Sequence, residues 1–96
     1  MNQIRFVWHD GKASENLRKH GVTFDEAKTV FSDDHRVEIY DAVHSVDEDR
    51  VIVIGISERL RLLMVVTTEQ HEAIRIISAR RANRTEEARY AGEVHG

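Results

Sequence analysis

Cysteine is absent from the chain, which excludes disulfides, thiolate metal sites and a cysteine nucleophile. Proline is also absent and glycine occurs only five times, while about a third of the residues are charged. Linkers, low-complexity stretches and disorder are not built that way. No apolar run approaches transmembrane length, and Met1-Asn2-Gln3-Ile4-Arg5 leads straight into a strand pattern rather than a signal peptide, so a cytoplasmic protein without membrane contact is expected. Asp33-Asp34-His35 and the stretch Asp41 to Asp49 have neither EF-hand spacing nor paired histidines on one helix face, so no metal and no other cofactor is expected. What remains is a single domain, residues 1–96, whose small core needs most of its apolar positions for packing.

The formal charge of −3 is not that of a typical nucleic-acid binder, but it hides an asymmetry. Residues 1–58 carry 7 Lys or Arg against 12 Asp or Glu; residues 59–96 carry 7 against 5. Every basic residue after Lys28 is arginine. Arginine favours oriented contacts to anions over a diffuse positive surface. The acidic first half would equally suit a basic partner protein.

Ile4 to Trp8 predicts a short first strand, followed by a helix from about Lys12 to His20 that ends at Gly21 in the left-handed position after the helix. Thr23 with Glu26 three residues on has the capping-box pattern, opening a second helix whose buried side is Ala27, Val30 and Phe31. Val37 to Tyr40 alternates as a half-buried strand. Arg50 to Ile56 is continuously apolar after its first residue, as in a central strand covered on both faces. Leu60 to Thr68 and Ala73 to Ala79 are the remaining strands, and Asn83 with Glu86 caps a final helix. The fold class is α+β: an antiparallel β-meander with an N-terminal αα-hairpin packed on one face and a C-terminal helix.

The last strand runs into adjacent arginines. Alternation places Arg80 with Ile74, Ile76 and Ser78, and Arg81 with Arg75, Ile77 and Ala79, so the two face opposite ways. Antiparallel order brings Arg59, Arg61, Arg80 and Arg81 to one end of the sheet. Guanidinium groups there suit phosphate oxygens, although pairing of Arg80 and Arg81 with Glu86 and Glu87 is the structural alternative. Metal-free RNA cleavage needs a base for the 2′-hydroxyl, cations for the crowded phosphate and an acid for the leaving oxygen. Arg59, Arg80 and Arg81 are the candidate cations, with Arg80 favoured as phosphate ligand. Tyr90 is a candidate acid or stacking platform. His20 and His44 are candidate bases; a capping role is favoured for His20, and a turn-stabilising hydrogen bond is the alternative for His44. Arg61, Lys12 and Arg75 are candidate RNA contacts, and Trp8 is assigned to the core.

Trp8-x-x-x-Lys12, Asn16-Leu17-x-Lys19-His20-Gly21-Val22-x-Phe24-x-Glu26-Ala27, Val30-Phe31, Asp41-x-x-His44-Ser45, Ile54-Gly55 and Arg75-Ile76-Ile77-Ser78-Ala79-Arg80-Arg81-Ala82 together resemble the BrnT toxin family, in order and spacing, from Trp8 to Tyr90. One departure is that His9 stands where the family has an aspartate after the tryptophan, and Asp10 follows. The resemblance implies a RelE-like fold and a metal-independent endoribonuclease of the mRNA-interferase type that inhibits translation. It also implies a BrnA-like ribbon-helix-helix antitoxin, expected as a 2:2 heterotetramer, with RNA, and the ribosome in some cases, as substrate partners and operator DNA bound only through the antitoxin. The alternative is a non-catalytic binding module of the same fold.

Overall fold

The computed structural model describes residues 3–95. The elements run β1 (Phe6–Val7), α1 (Asp10–His20), α2 (Phe24–Ala27), β2 (Val37–Tyr40), β3 (Arg50–Ile56), β4 (Leu62–Gln70), β5 (Ala73–Arg81) and α3 (Arg84–His95), and a 3-10 turn over Lys28–Ser32 prolongs α2. Local chemistry explains their ends. Gly21 takes φ 67° and donates its N–H to the Leu17 carbonyl at 2.9 Å, closing α1 as expected. Thr23 Oγ1 accepts from the Glu26 N–H at 3.0 Å. Asn83 and Glu86 cap each other's backbone N–H reciprocally, both at 2.9 Å.

Helix α1 starts two residues before the expected Lys12, because His9 is its N-cap: the ring Nδ1 accepts from the Lys12 N–H at 3.3 Å. Gly11 permits this, since a Cβ there would lie 2.9 Å from His9 Cε1 and push the ring away. Asp10 thereby falls in the first turn, where a carboxylate suits the positive end of the helix.

The five-stranded sheet has the order β1-β5-β4-β3-β2. The expected antiparallel meander holds for β2 to β5, but the sheet is mixed: β1 lies parallel to β5, pairing Phe6 with Ile74 and Val7 with Arg75. β1 is two residues long rather than the expected Ile4 to Trp8. Beyond β1 the edge of β5 is taken over by a side chain. Buried Asn16 accepts from Ala79 N–H at 3.0 Å and donates to the Ala79 and Val22 carbonyls at 2.8 and 3.0 Å. One amide thus ties α1, the turn after it and the sheet together. Asn16→Ala orphans an N–H and two carbonyls in the interior, and a loss of about 2–3 kcal/mol is expected, or a melting temperature lower by at least about 8 °C. Melting within about 3 °C of the parent in a thermal scan would show that the amide is not what satisfies that edge.

Helices cover both faces. On one, Val22, Phe24, Ala27 and Val30 pack against Val53, Leu63, Val65, Ile76 and Ala79, with Trp8 against this cluster and edge-on to Phe24 at 5.9 Å. On the other, Val37, Ile54 and Met64 lie buried with Tyr90 of α3 against them. The C-terminal helix therefore takes the face opposite the αα-hairpin, and β3 is buried on both sides as its apolar run predicts.

A bulge in β5 overturns the expected alternation. Val66 pairs with Ser78 and Thr67 with Ile76, leaving Ile77 as the extra residue. A bulge shifts side-chain parity. Ile74 and Ile76 therefore share a face with Ala79 and Arg81, while Arg75 shares one with Ser78 and Arg80.

Candidate functional site

The C-terminal ends of β3 and β5 and the start of β4 meet at one end of the sheet, and the 57–61 turn joins two of them. This turn is built from a buried carboxylate outward. Glu26, 3% exposed, was placed by its capping pattern, yet its side chain does not return to Thr23. Its Oε2 accepts from Arg61 Nε at 2.9 Å and Ser57 Oγ at 2.7 Å, and its Oε1 from Arg61 Nη2. The Arg61 bond, aided by Ser57, holds the Glu26 carboxyl below its usual range against the opposing effect of burial. Ser57 Oγ in turn accepts from the Arg59 N–H, and Thr29 Oγ1 accepts from the Glu58 N–H at 2.9 Å. The turn is tied down from outside by Thr29 of the 3-10 turn, which takes one of its backbone N–H groups, and by Glu26 of α2, which holds the Ser57 and Arg61 side chains.

Arg61, expected as an RNA contact, is therefore a scaffold residue whose Nη2 also donates to the Gly21 carbonyl at 3.2 Å. Arg59 is two-thirds exposed, with only a 3.9 Å approach to Glu26. Arg80 and Arg81 part company. Arg80 lies on the α3 face and forms a two-pronged pair with Glu86, both N–H···O distances 2.8 Å. Burial would raise the Glu86 carboxyl, but Arg80 and the Asn83 N–H outweigh it and hold it low. Arg81 pairs in register with Leu63 on the face of Glu26 and Arg61; it is exposed and makes no ion pair among the described residues. Acidic pairing thus falls to Arg80, because α3 covers the face that Arg80 is on.

Tyr90 fastens α3. Its hydroxyl donates to Asp33 Oδ2 at 2.6 Å, the same oxygen that accepts from the Ile56 N–H at 2.8 Å. Burial and this carboxylate push the Tyr90 phenol up to about 12. Its proton is held, and committed to Asp33.

The other named residues lie elsewhere. His44 is at the opposite end of the sheet, in the loop before β3, where its Nδ1 lies 2.8 Å from Asp41 Oδ2 and its N–H donates to Oδ1; this is the turn-stabilising arrangement. Burial works to raise Asp41, but the His44 bonds prevail and lower it. Arg75 is also at that end, doubly bonded to Glu48 at 2.8 Å. Lys12 is exposed on α1 and, with His9, Lys19 and His20, lines a cleft of about 400 Å³ against Ile77 and Ser78. His20 immediately precedes Gly21, whose carbonyl takes the Arg61 bond, so it stands toward the arginine end. Among the described residues no three His, Asp or Glu side chains converge in a way that would cage a metal. No helix among the described residues is long and apolar enough to span a membrane.

Glu26 is a component of the site that no local sequence pattern announces. Its signal, a capping-box position, was real but accounted for only its backbone.

A family model described as the ribonuclease toxin BrnT of type II toxin–antitoxin systems matches residues 8–86. Among solved structures, the chain is similar to the Brucella abortus ribonuclease toxin BrnT, with a TM-score of 0.63 and 22% identity over 85% of this chain and 100% of that one. At that identity the likeness establishes the shared fold. No curated protein gives a match.

Proposed function

The chain belongs to the BrnT family of ribonuclease toxins of type II toxin–antitoxin systems, and we propose that it cleaves single-stranded RNA without a metal at the arginine end of its sheet, so lowering translation. In this chemistry the 2′-oxygen attacks the adjacent phosphorus, the bond to the 5′-oxygen breaks, and the products are a 2′,3′-cyclic phosphate and a 5′-hydroxyl. The observation that carries the proposal is the division of labour among four arginines: Arg61 and Arg80 are held by buried or half-buried carboxylates, while Arg59 and Arg81 project from the scaffold so made. The turn and strand end that carry Arg59 and Arg81 are tied down before substrate arrives, which lowers the reorganisation needed to bring cationic donors to the crowded phosphate. His20, a histidine toward this end, is assigned the 2′-proton, and the 5′-oxygen takes its proton from solvent, because the Tyr90 proton is committed to Asp33. His44 and Arg75, at the opposite end, are assigned no part in the reaction.

The natural inhibitor is proposed to be a BrnA-like ribbon-helix-helix antitoxin, which is dimeric and so carries two toxin chains; operator DNA is contacted by the antitoxin alone. Purified protein incubated with RNA in EDTA is expected to leave cyclic-phosphate ends, and expression of the chain alone to arrest growth, with relief by the antitoxin. Intact RNA and normal growth, with folded protein at high level, would favour a non-catalytic binding module instead.

A further inference from the structure

The turn between β3 and β4 has a residue its backbone does not favour. The Leu60 N–H donates to the Ser57 carbonyl at 2.9 Å and the Ser57 N–H to the Arg61 carbonyl at 2.9 Å, so Glu58, Arg59 and Leu60 form a three-residue hairpin loop. Such loops place their third residue in the left-handed region, and glycine is the usual occupant because it has no Cβ to clash. Here the position is Leu60, at φ 61°. Its side chain is not recovering that strain through packing, since Leu60 is 83% exposed. A branched apolar side chain is thus held out into solvent, on a turn fixed by Ser57, Thr29 and Glu26, between Arg59 and Arg61 and beside the strand pair that ends in Arg81.

Strained backbone persists only where its surroundings hold it, and such positions cluster at functional sites; of the described non-glycine residues with positive φ, Leu60, His71 and Glu72, it is Leu60 that stands at the arginine end. Aliphatic side chains beside phosphate-binding cations have a known physical use in nucleic-acid recognition: they wedge between or lie against bases that the cations hold by their backbone. We infer that Leu60 packs against an unstacked base of single-stranded RNA next to the phosphate bound by Arg59 and Arg81. This rests on the ribonuclease assignment above, and it adds a contact to the base where the arginines contact only phosphate. Because the contact positions substrate rather than transition-state charge, its loss appears in KM and leaves kcat largely intact.

The strain gives the test its sign. Leu60→Gly relieves the left-handed strain and removes the apolar contact, so stability and RNA affinity are expected to move in opposite directions. Binding is measured by fluorescence anisotropy of a fully 2′-O-methylated single-stranded oligonucleotide, which cannot be cleaved, for the parent, Leu60→Gly, Leu60→Met and Arg81→Ala. The expected result is a melting temperature for Leu60→Gly equal to or above the parent's with affinity weaker by about five- to tenfold, the low end of what one base contact contributes. Leu60→Met, which keeps an apolar side chain there, should retain parental affinity. If Leu60→Gly binds as the parent does while Arg81→Ala binds weakly, the base contact is refuted and the arginine site survives. If Leu60→Gly keeps parental RNA affinity but loses affinity for the antitoxin, Leu60 is a protein contact and the inference fails. If the parent itself binds no RNA, the ribonuclease assignment falls and takes this inference with it.

Discussion

Arg81→Ala is expected to lower the rate of RNA cleavage by about two to three orders of magnitude, the effect of removing one donor that meets transition-state charge. Its melting temperature should stay close to the parent's, because Arg81 is exposed and holds no ion pair among the described residues. Arg80→Ala should behave the other way. It strips Glu86, whose side chain is only 18% exposed, of its two-pronged partner and so loosens the start of α3, at a loss of about 1–2 kcal/mol. Below its lowered melting point that variant should keep cleavage within about tenfold of the parent, since it removes an anchor and not a ligand. The proposal departs from the expectation drawn from strand alternation, which favours Arg80 as the phosphate ligand. Cleavage rates and melting curves of the two variants, taken side by side, decide it. Near-parental cleavage by Arg81→Ala with abolished cleavage by folded Arg80→Ala inverts the assignment, and near-parental cleavage by both removes the arginine end from the chemistry.

The difference between Arg80 and Arg81 shows what one-dimensional patterns carry and what they miss. Gly21, Thr23 and Asn83 were legible because caps depend on residues within one turn of each other, and all three cap as their spacing predicts. The convergence of the arginines was legible too, since it follows from antiparallel strand order. The bulge at Ile77 was not, because its cause lies across the sheet, where Thr67 and Val66 meet Ile76 and Ser78. Which face α3 would take was equally hidden. That helix buries no residue fully, so it has no apolar stripe to read, and it is held by Tyr90 to Asp33 and Glu86 to Arg80. Glu26 combined both cases: its backbone role is local and was visible, whereas its side chain serves Arg61, 35 residues away.

That pair underlies the largest expected effect on stability. Arg61→Ala leaves the Glu26 carboxylate, 3% exposed, with Ser57 as its remaining close partner, and breaking a buried pair on one side is expected to remove about 3–5 kcal/mol. For a domain of this size that lowers the melting temperature by about 12 °C or more. The pH dependence carries its own sign. Glu26 has a folded pKa depressed below its unfolded value of 4.5, mainly by the Arg61 bond, so its contribution is present above that value and is lost as pH falls through the depressed folded pKa. The parent should therefore weaken on acidification below about pH 4.5, with Asp33 and Glu86, also depressed, adding to the slope. In Arg61→Ala the guanidinium is gone and burial of the carboxyl dominates, which raises its folded pKa. Acidification then relieves the unpaired charge, so the variant's deficit relative to the parent should narrow as pH falls. Replacing both partners with apolar residues of similar size, Glu26→Leu with Arg61→Met, should recover more than half of the single-variant loss, because an unpaired buried charge is worse than none. Denaturant unfolding at neutral and acid pH measures all of this, and a deficit that is small at neutral pH, or that widens with acid, would show that Glu26 is not carried by Arg61. Because the same carboxylate and Ser57 together hold the turn that presents Arg59 and Leu60, the double variant also separates stability from activity: it should fold well and still cleave slowly, its turn having lost the acceptor that fixed it.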